Sequence, residues 1–317
     1  MVKRKALVTG GAGFIGSHLC KKLSEKNYDV IVYDDLSNGS GKKNLPDKIK
    51  FVNGSILNPK KLKEVCKNVD VVFNLAVKPL SMSFDKPDIV VKVNDIGAYY
   101  VAKICTELKH KLIHVSSSEA YGSAMLIPMH ENHPLLPSTI YAASKSASEM
   151  YVRGLHKTDG LKMVIVRPFN CYGPFMRDDV YGAAIPKFFK RIATKKSPII
   201  FGNGNQTRDL TFIDDTVNGI VLADNEPTAI GETFNIAQGK ETSVRKMAEV
   251  LMDEYEKITG KKVLRNLIFK KERKGDVKRH LADISHAKKI LNYKPKINLR
   301  HGIAQYIKWK LENINNV

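Results

Sequence analysis

A glycine-rich turn joins an apolar strand to an amphipathic helix at Leu7-Val8-Thr9-Gly10-Gly11-Ala12-Gly13-Phe14-Ile15-Gly16-Ser17-His18, and it constrains this chain more than any other stretch. Lys5 to Thr9 reads as a short buried strand, while Ile15, Leu19 and Leu23 recur at helical spacing on one face. In that context Gly11-x-Gly13-x-x-Gly16 lets the backbone turn tightly and approach a phosphate group. The free N–H groups at the helix start supply the positive end of the dipole, so the turn is a candidate seat for a dinucleotide pyrophosphate. The competing reading is a turn whose glycines serve only close packing of strand on helix. Asp34 favours the first: it ends the next apolar strand, Val30 to Tyr33, about 20 residues on, where a carboxylate accepts ribose hydroxyls. It would repel a 2′-phosphate, and no arginine lies beside it in the sequence.

Tyr141-Ala142-Ala143-Ser144-Lys145 is the second anchor. Spacing of four puts phenol and ammonium on one face of a helix. A fixed positive charge favours the phenolate and draws a poor base toward working range, so the expectation is a Tyr141 lowered in pKa by Lys145. Alone, such a pair is also what an ordinary helix surface carries. The strand Lys111 to Val115 runs into Ser116-Ser117-Ser118-Glu119, placing hydroxyls and a carboxylate at the end of a sheet strand where open α/β sheets bind ligands. The serines could equally cap a turn.

With these residues in view, the chain resembles the extended short-chain dehydrogenases of the NAD-dependent nucleotide-sugar epimerase and dehydratase family. The resemblance runs nearly end to end and includes Asp34-Asp35-Leu36-Ser37-Asn38-Gly39, Asn74-Leu75-Ala76, Arg167-Pro168-Phe169-Asn170-Cys171-Tyr172-Gly173-Pro174, Gly202-Asn203-Gly204-Asn205-Gln206-Thr207-Arg208-Asp209 and Gly275-Asp276-Val277. It implies NAD as cofactor, held by Gly10, Gly13, Phe14, Ile15, Gly16, Asp34, Asn38, Ser55, Ile56, Leu75, Ala76 and Asn94 together with Tyr141 and Lys145. It implies Ser117, Ser118, Glu119, Tyr141 and Lys145 as the catalytic group, and Asn170, Arg208 and Arg273 on the nucleoside diphosphate, where guanidinium groups suit phosphate oxygens. Two positions depart from the family pattern: Lys274 replaces a proline before Gly275-Asp276, and Ser55 follows Gly54 where relatives commonly place an aspartate for the adenine amino group. Arg273 lies in Lys270-Lys271-Glu272-Arg273-Lys274, which also reads as a plain solvated charge run.

At 317 residues the chain can bury a substantial core. Strands alternate with helical stretches at Lys5 to Thr9, Asp29 to Tyr33, Ile49 to Asn53, Val69 to Asn74, Lys111 to Ser116 and Lys162 to Arg167. This argues for an α/β fold, a doubly wound parallel Rossmann sheet, with a smaller C-terminal α/β substrate domain. The resemblance interleaves the two: 1–174 with 211–237 in the NAD-binding domain, 175–210 and 238–317 in the substrate domain. No apolar run long enough for a signal peptide or membrane helix is visible, and the four cysteines are widely spaced without a CxxC pair. A cytoplasmic, reduced protein without a membrane partner is expected. The nine histidines show no metal-binding spacing, so no metal is expected. Lys and Arg number 52 against 32 Asp and Glu, a net +20, but the basic residues are dispersed without an aromatic-interleaved tract. Attraction of an anionic substrate is expected, and no specific nucleic-acid partner. Relatives dimerise through helices matching Ala98 to Leu108 and Tyr141 to His156, which implies a homodimer.

The resemblance implies a mechanism in which Tyr141, oriented with Ser117, takes the 4-hydroxyl proton while the C4 hydride passes to NAD, leaving a 4-keto sugar. Glu119 separates the branches, because removing a proton alpha to a ketone needs a positioned base. Its presence leans the reading toward a 4,6-dehydratase. The alternative is a UDP-sugar 4-epimerase of the UDP-glucose or UDP-N-acetylglucosamine type, followed by a nucleotide-sugar decarboxylase and by a non-catalytic nucleotide-binding scaffold. Ser118 is too weak an acid to protonate a leaving hydroxyl unaided, and Glu119 could instead form only a structural hydrogen bond.

Overall fold

The computed structural model describes residues 3–37, 41–179, 181–272 and 277–313. Its first half alternates strand and helix: β1 (Lys5–Thr9), α1 (Phe14–Glu25), β2 (Asp29–Asp34), β3 (Lys50–Asn53), α2 (Pro59–Cys66), β4 (Val71–Asn74), α3 (Pro87–Val91), α4 (Ala98–Glu107), β5 (Lys111–Val115), α5 (Ile140–Asp159) and β6 (Met163–Pro168). There follow β7 (Cys171–Tyr172), α6 (Ala184–Ala193), β8 (Ile199–Phe201), β9 (Thr207–Asp209), β10 (Thr211–Phe212), α7 (Ile213–Asn225) and β11 (Thr233–Ile236). The chain ends through β12 (Glu241–Ser243), α8 (Val244–Thr259), β13 (Ile268–Lys270), α9 (Ser285–Leu291) and α10 (Leu299–Asn313).

Seven strands make one parallel sheet in the order β11-β6-β5-β4-β1-β2-β3, with the reversal of direction beside β1 that defines a doubly wound fold. Parallel strands need cover on both faces, and the sequence provides it, since β4 and β6 are buried at every position. Alternate residues sort to the two sides. Ala6 and Val8 join the core under α1 and α7, whereas Leu7 and Val72 join the core under α2, α4 and α5. Later in the chain, Phe189 of α6 meets Tyr255 of α8 and Tyr306 of α10 edge-on, with ring centroids 6.0 and 5.9 Å apart. Three two-stranded ribbons, β10 with β7, β12 with β9 and β13 with β8, supplement the main sheet.

Helix α5 is the longest element and its ends are written in the sequence. Thr139 caps its start by accepting from the Ala142 N–H, and Gly160 takes the left-handed conformation that ends it. Its middle is tied to β6 by a fully buried ion pair: Arg167 donates to both oxygens of Glu149 at 2.9 and 2.6 Å, and also to the Tyr121 hydroxyl at 2.6 Å and the Glu131 carbonyl at 2.9 Å. A buried guanidinium stripped of its carboxylate has no water to replace it. Glu149→Leu is therefore expected to lower unfolding free energy by about 3–5 kcal/mol, and adding Arg167→Met to recover most of that loss. Urea denaturation of the single and double variants measures both.

Candidate active site

The strand ends and their loops enclose a cavity of about 920 Å³ along the carboxyl edge of the sheet. Gly10, Gly13, Phe14, Ile15 and Gly16 line it, and at Gly10 and Gly16 no side chain fits. Gly10 has φ +70°, and an added Cβ would stand 2.6 Å from the Ala76 nitrogen. A Cβ on Gly16 would overlap the Gly10 carbonyl oxygen. What remains is bare backbone at a helix N-terminus, a shape that fits a pyrophosphate and has no use for side chains.

Asp34, Ser55, Ile56, Leu75 and Ala76 continue the wall. The Asp34 carboxylate accepts from the Ala12 N–H at 2.9 Å and the Leu36 N–H at 2.8 Å, which aims it along the cavity. Burial pushes its carboxyl upward, opposed by those two N–H groups. Asn94 is placed differently from the expectation. It is buried and not among the described cavity-lining residues, its oxygen accepting the Lys78 N–H at 2.7 Å and its nitrogen donating to the Lys78 carbonyl at 3.1 Å, so its amide holds the protein's own backbone. Asn38 and Arg273 lie outside the described residues.

Sequence reasoning missed the residue Asn94 holds. Lys78 is buried, lines the cavity, bonds to the Ser37 hydroxyl, and its charge acts on Asp34. The available signal was its place just beyond Asn74-Leu75-Ala76 at the end of a parallel strand. Arg177, Lys187 and Arg191, also unforeseen, add cationic groups to the cavity wall, which Asn170 and Arg208 line as well. Arg208 donates to the carbonyls of Thr207 at 2.9 Å and Val277 at 2.5 Å, which fixes its guanidinium at the cavity rim.

Between the two ends sit Ser117, Ser118, Glu119, Tyr141 and Lys145, all on the cavity wall. Ser117 caps the short turn after β5, accepting the Glu119 N–H at 3.2 Å, and hydrogen-bonds to the Tyr141 hydroxyl. Burial pushes that phenol up to about 12, the Ser117 bond opposes it, and the Glu119 charge adds to the rise. The expected lowering by Lys145 is absent from the protein chain by itself. Lys145 instead donates its Nζ to the Val115 carbonyl at 2.8 Å, and burial pushes the ammonium down to about 8. Ser118 is buried, and beside it the Ser116 hydroxyl has no hydrogen-bond partner among the described residues. A buried, unpaired hydroxyl facing a cavity suits a polar ligand group.

A family model described as GDP-mannose 4,6-dehydratase matches residues 7–306. The chain belongs to the NAD-dependent nucleotide-sugar epimerase and dehydratase family. A Methanocaldococcus jannaschii protein provisionally named as a UDP-glucose 4-epimerase is 37% identical over 314 residues, covering 97% of this chain and 98% of that one. The UDP-glucose 4-epimerase of Thermotoga maritima, solved with UDP-glucose, superposes with a TM-score of 0.91 at 31% identity, covering 98% of this chain and 99% of that one. A dTDP-glucose 4,6-dehydratase of Streptomyces venezuelae, solved with NAD, does so with a TM-score of 0.90 at 28% identity and 98% coverage of both. The chain is thus an enzyme of a family that contains both epimerases and dehydratases. Among the described residues no helix is long and apolar enough to cross a membrane, and no three His, Cys, Asp or Glu side chains cluster to hold a metal.

A lysine buried at the centre of the site opposes folding while it is charged. Its folded pKa of about 8 lies below the unfolded value of about 10.4, so wild-type stability is restored only as pH rises from about 8 to 10. Lys145→Met is expected to melt above wild type at pH 7, with the gap closing across that window. Thermal melts at a series of pH values check the sign.

Proposed function

We propose that this enzyme oxidises C4 of a nucleoside-diphosphate sugar with NAD and carries the 4-keto product through 4,6-dehydration. Glu119 carries the branch: its carboxylate lines the cavity and acts electrostatically on Tyr141, where a base for the C5 proton is required. NAD, held by the glycine turn, Asp34 and Lys145, would supply a hydride acceptor for C4 that gives the hydride back later, and a positive charge that would favour the Tyr141 phenolate. Tyr141 then takes the 4-hydroxyl proton, with Ser117 holding the phenol in place. Asp34, Asp35 and Glu119 are the carboxylate residues among the described cavity-lining positions, and the first two belong to the ribose end. Having removed the C5 proton, Glu119 is therefore also the acid that releases the C6 hydroxyl as water, a task Ser118 cannot perform. Hydride return at C6 and a solvent proton at C5 complete the 4-keto-6-deoxy product, and Tyr141 gives the 4-hydroxyl proton up to solvent. Asn170, Arg208 and Arg273 take the diphosphate, aided by Arg177, Lys187 and Arg191. We assign 1–174 with 211–237 to the cofactor half and 175–210 with 238–317 to the substrate half. We also assign a cytoplasmic location and a homodimer through α4 and α5, the homodimer supported by exposed Met150 and Tyr151 on α5.

The second reading is a UDP-sugar 4-epimerase, favoured by the serine at position 118 and by the epimerases among the relatives. Tyr141 and Ser117 suffice for that reaction. Incubation with UDP-, dTDP- and GDP-sugars, followed by product mass and NMR, separates the readings: loss of water means dehydration and unchanged mass means epimerisation. In Glu119→Gln a dehydratase is expected to lose turnover by about 100-fold or more while the sugar still reduces bound NAD. Full activity with product of unchanged mass establishes the epimerase instead.

Cofactor choice follows from charge. Asp34 and Asp35 outnumber Lys78 at the ribose end, so calorimetry is expected to show NAD binding at least about tenfold tighter than NADP. Tighter NADP binding removes Asp34 from its assigned role.

A further inference from the structure

One row of polar side chains crosses the interior of the sheet without touching the cavity. Thr9, Asn74 and His114 are register partners on β1, β4 and β5, so their side chains emerge on the same face, and all three are buried. Thr9 Oγ1 donates to Asn74 Oδ1 at 2.7 Å, and Asn74 Nδ2 lies 3.3 Å from His114 Nδ1. His114 Nε2 lies 3.1 Å from the hydroxyl of buried Ser148 on α5, which donates to the Lys145 carbonyl at 2.8 Å. Each end of the row meets the active site. The Ala76 N–H, in the wall that abuts Gly10, donates to Thr9 Oγ1 at 3.4 Å. At the other end Lys145 is gripped twice, by Ser148 at its carbonyl and by Val115, the neighbour of His114, at its ammonium.

The protons in this row have a single consistent order. Asn74 accepts from Thr9 with its oxygen, so its amide nitrogen faces the imidazole and can only donate. Nδ1 of His114 must then accept, Nε2 must carry the proton and donate it to Ser148 Oγ, and the Ser148 hydroxyl donates in turn to the Lys145 carbonyl. A charged imidazole would set two donors against each other at Asn74. Burial, and after it the neighbouring Lys145 charge, hold the ring well below its usual range. Apolar residues would fill this part of the sheet without any such requirement, and a polar row there is tolerable only when every member is paired.

We propose that His114 is a positioning residue: as a neutral ring with its proton on Nε2, it locks the turn of α5 that carries Lys145 to the strand row beneath the cofactor cradle. The proposal rests on Tyr141 and Lys145 being the catalytic pair. Its tests are therefore split between readouts that need a sugar and readouts that do not.

Without sugar, ¹⁵N NMR of the histidine rings is expected to show His114 with protonated Nε2 and no titration between about pH 5 and 9. NAD affinity by calorimetry is expected to weaken in His114→Phe and in Ser148→Ala, the second of which cuts only the last link and leaves the ring in place. With sugar, His114→Phe is expected to lower kcat roughly tenfold or more with KM changed less than about threefold, and His114→Gln, which can still donate toward Ser148, to recover most of the loss. A ring that titrates in that range, or carries its proton on Nδ1, overturns the proposal. So does a Ser148→Ala enzyme with wild-type kcat and NAD affinity, or a glutamine variant no better than phenylalanine. If the ring has the stated tautomer but Tyr141→Phe turns over normally, the catalytic reading fails and not the hydrogen-bond row.

Discussion

Backbone meeting backbone at the first turn is the contact on which the rest of the structure depends. Gly16 lets α1 start directly against the Gly10 carbonyl, and Gly10 in turn lies against Ala76 at the end of β4. The Gly10 N–H also bonds to the Tyr33 carbonyl at 3.0 Å, so β1, β2 and β4 are drawn together at one edge by groups that carry no side chain. Only because that edge is so tight does the Ala12 N–H reach Asp34 and point its carboxylate along the cavity. Later elements hang on this frame, with β5 and β6 continuing the sheet to bring Ser117 and the base of α5 to the same rim.

Helix α5 shows how differently stability and chemistry use one element. Its Glu149 is satisfied by a two-pronged guanidinium and anchors the helix to β6. One turn earlier Lys145 is buried too, and among the described residues its ammonium donates only to a carbonyl, that of Val115, a poorly compensated charge of the kind found where function outweighs packing. The first interaction holds the second in a place it would not choose.

Much of the fold was legible because the signals are local. Each of the first six strands lies within a residue or two of where its apolar run suggested, and the spacing from Tyr141 to Lys145 does put both on the wall of one cavity. Asp34 was legible for the same reason, as the last residue of a strand. Lys78 was not, since its backbone is held by Asn94 from the helical segment Lys92–Gly97. The ionisation of Tyr141 was misread because spacing reports proximity, whereas desolvation and the turn of Lys145 toward Val115 are tertiary facts. The row from Thr9 to Ser148 was invisible for a related reason: its members are far apart in sequence, and only strand register aligns them.

The outermost strand of the sheet has a consequence for how the chain is made. β11 pairs with β6 in parallel, Thr233 opposite Ile165, yet it emerges from the ribosome only after β7, α6, β8, β9, β10 and α7 have been synthesised. Until then β6, apolar and destined for full burial, presents an unpaired edge to the cell. The nascent protein thus passes through a stage in which a nearly complete sheet awaits its final strand, open to pairing with any other extended chain. Because that strand arrives late, the window for aggregation is set by the length of the intervening excursion.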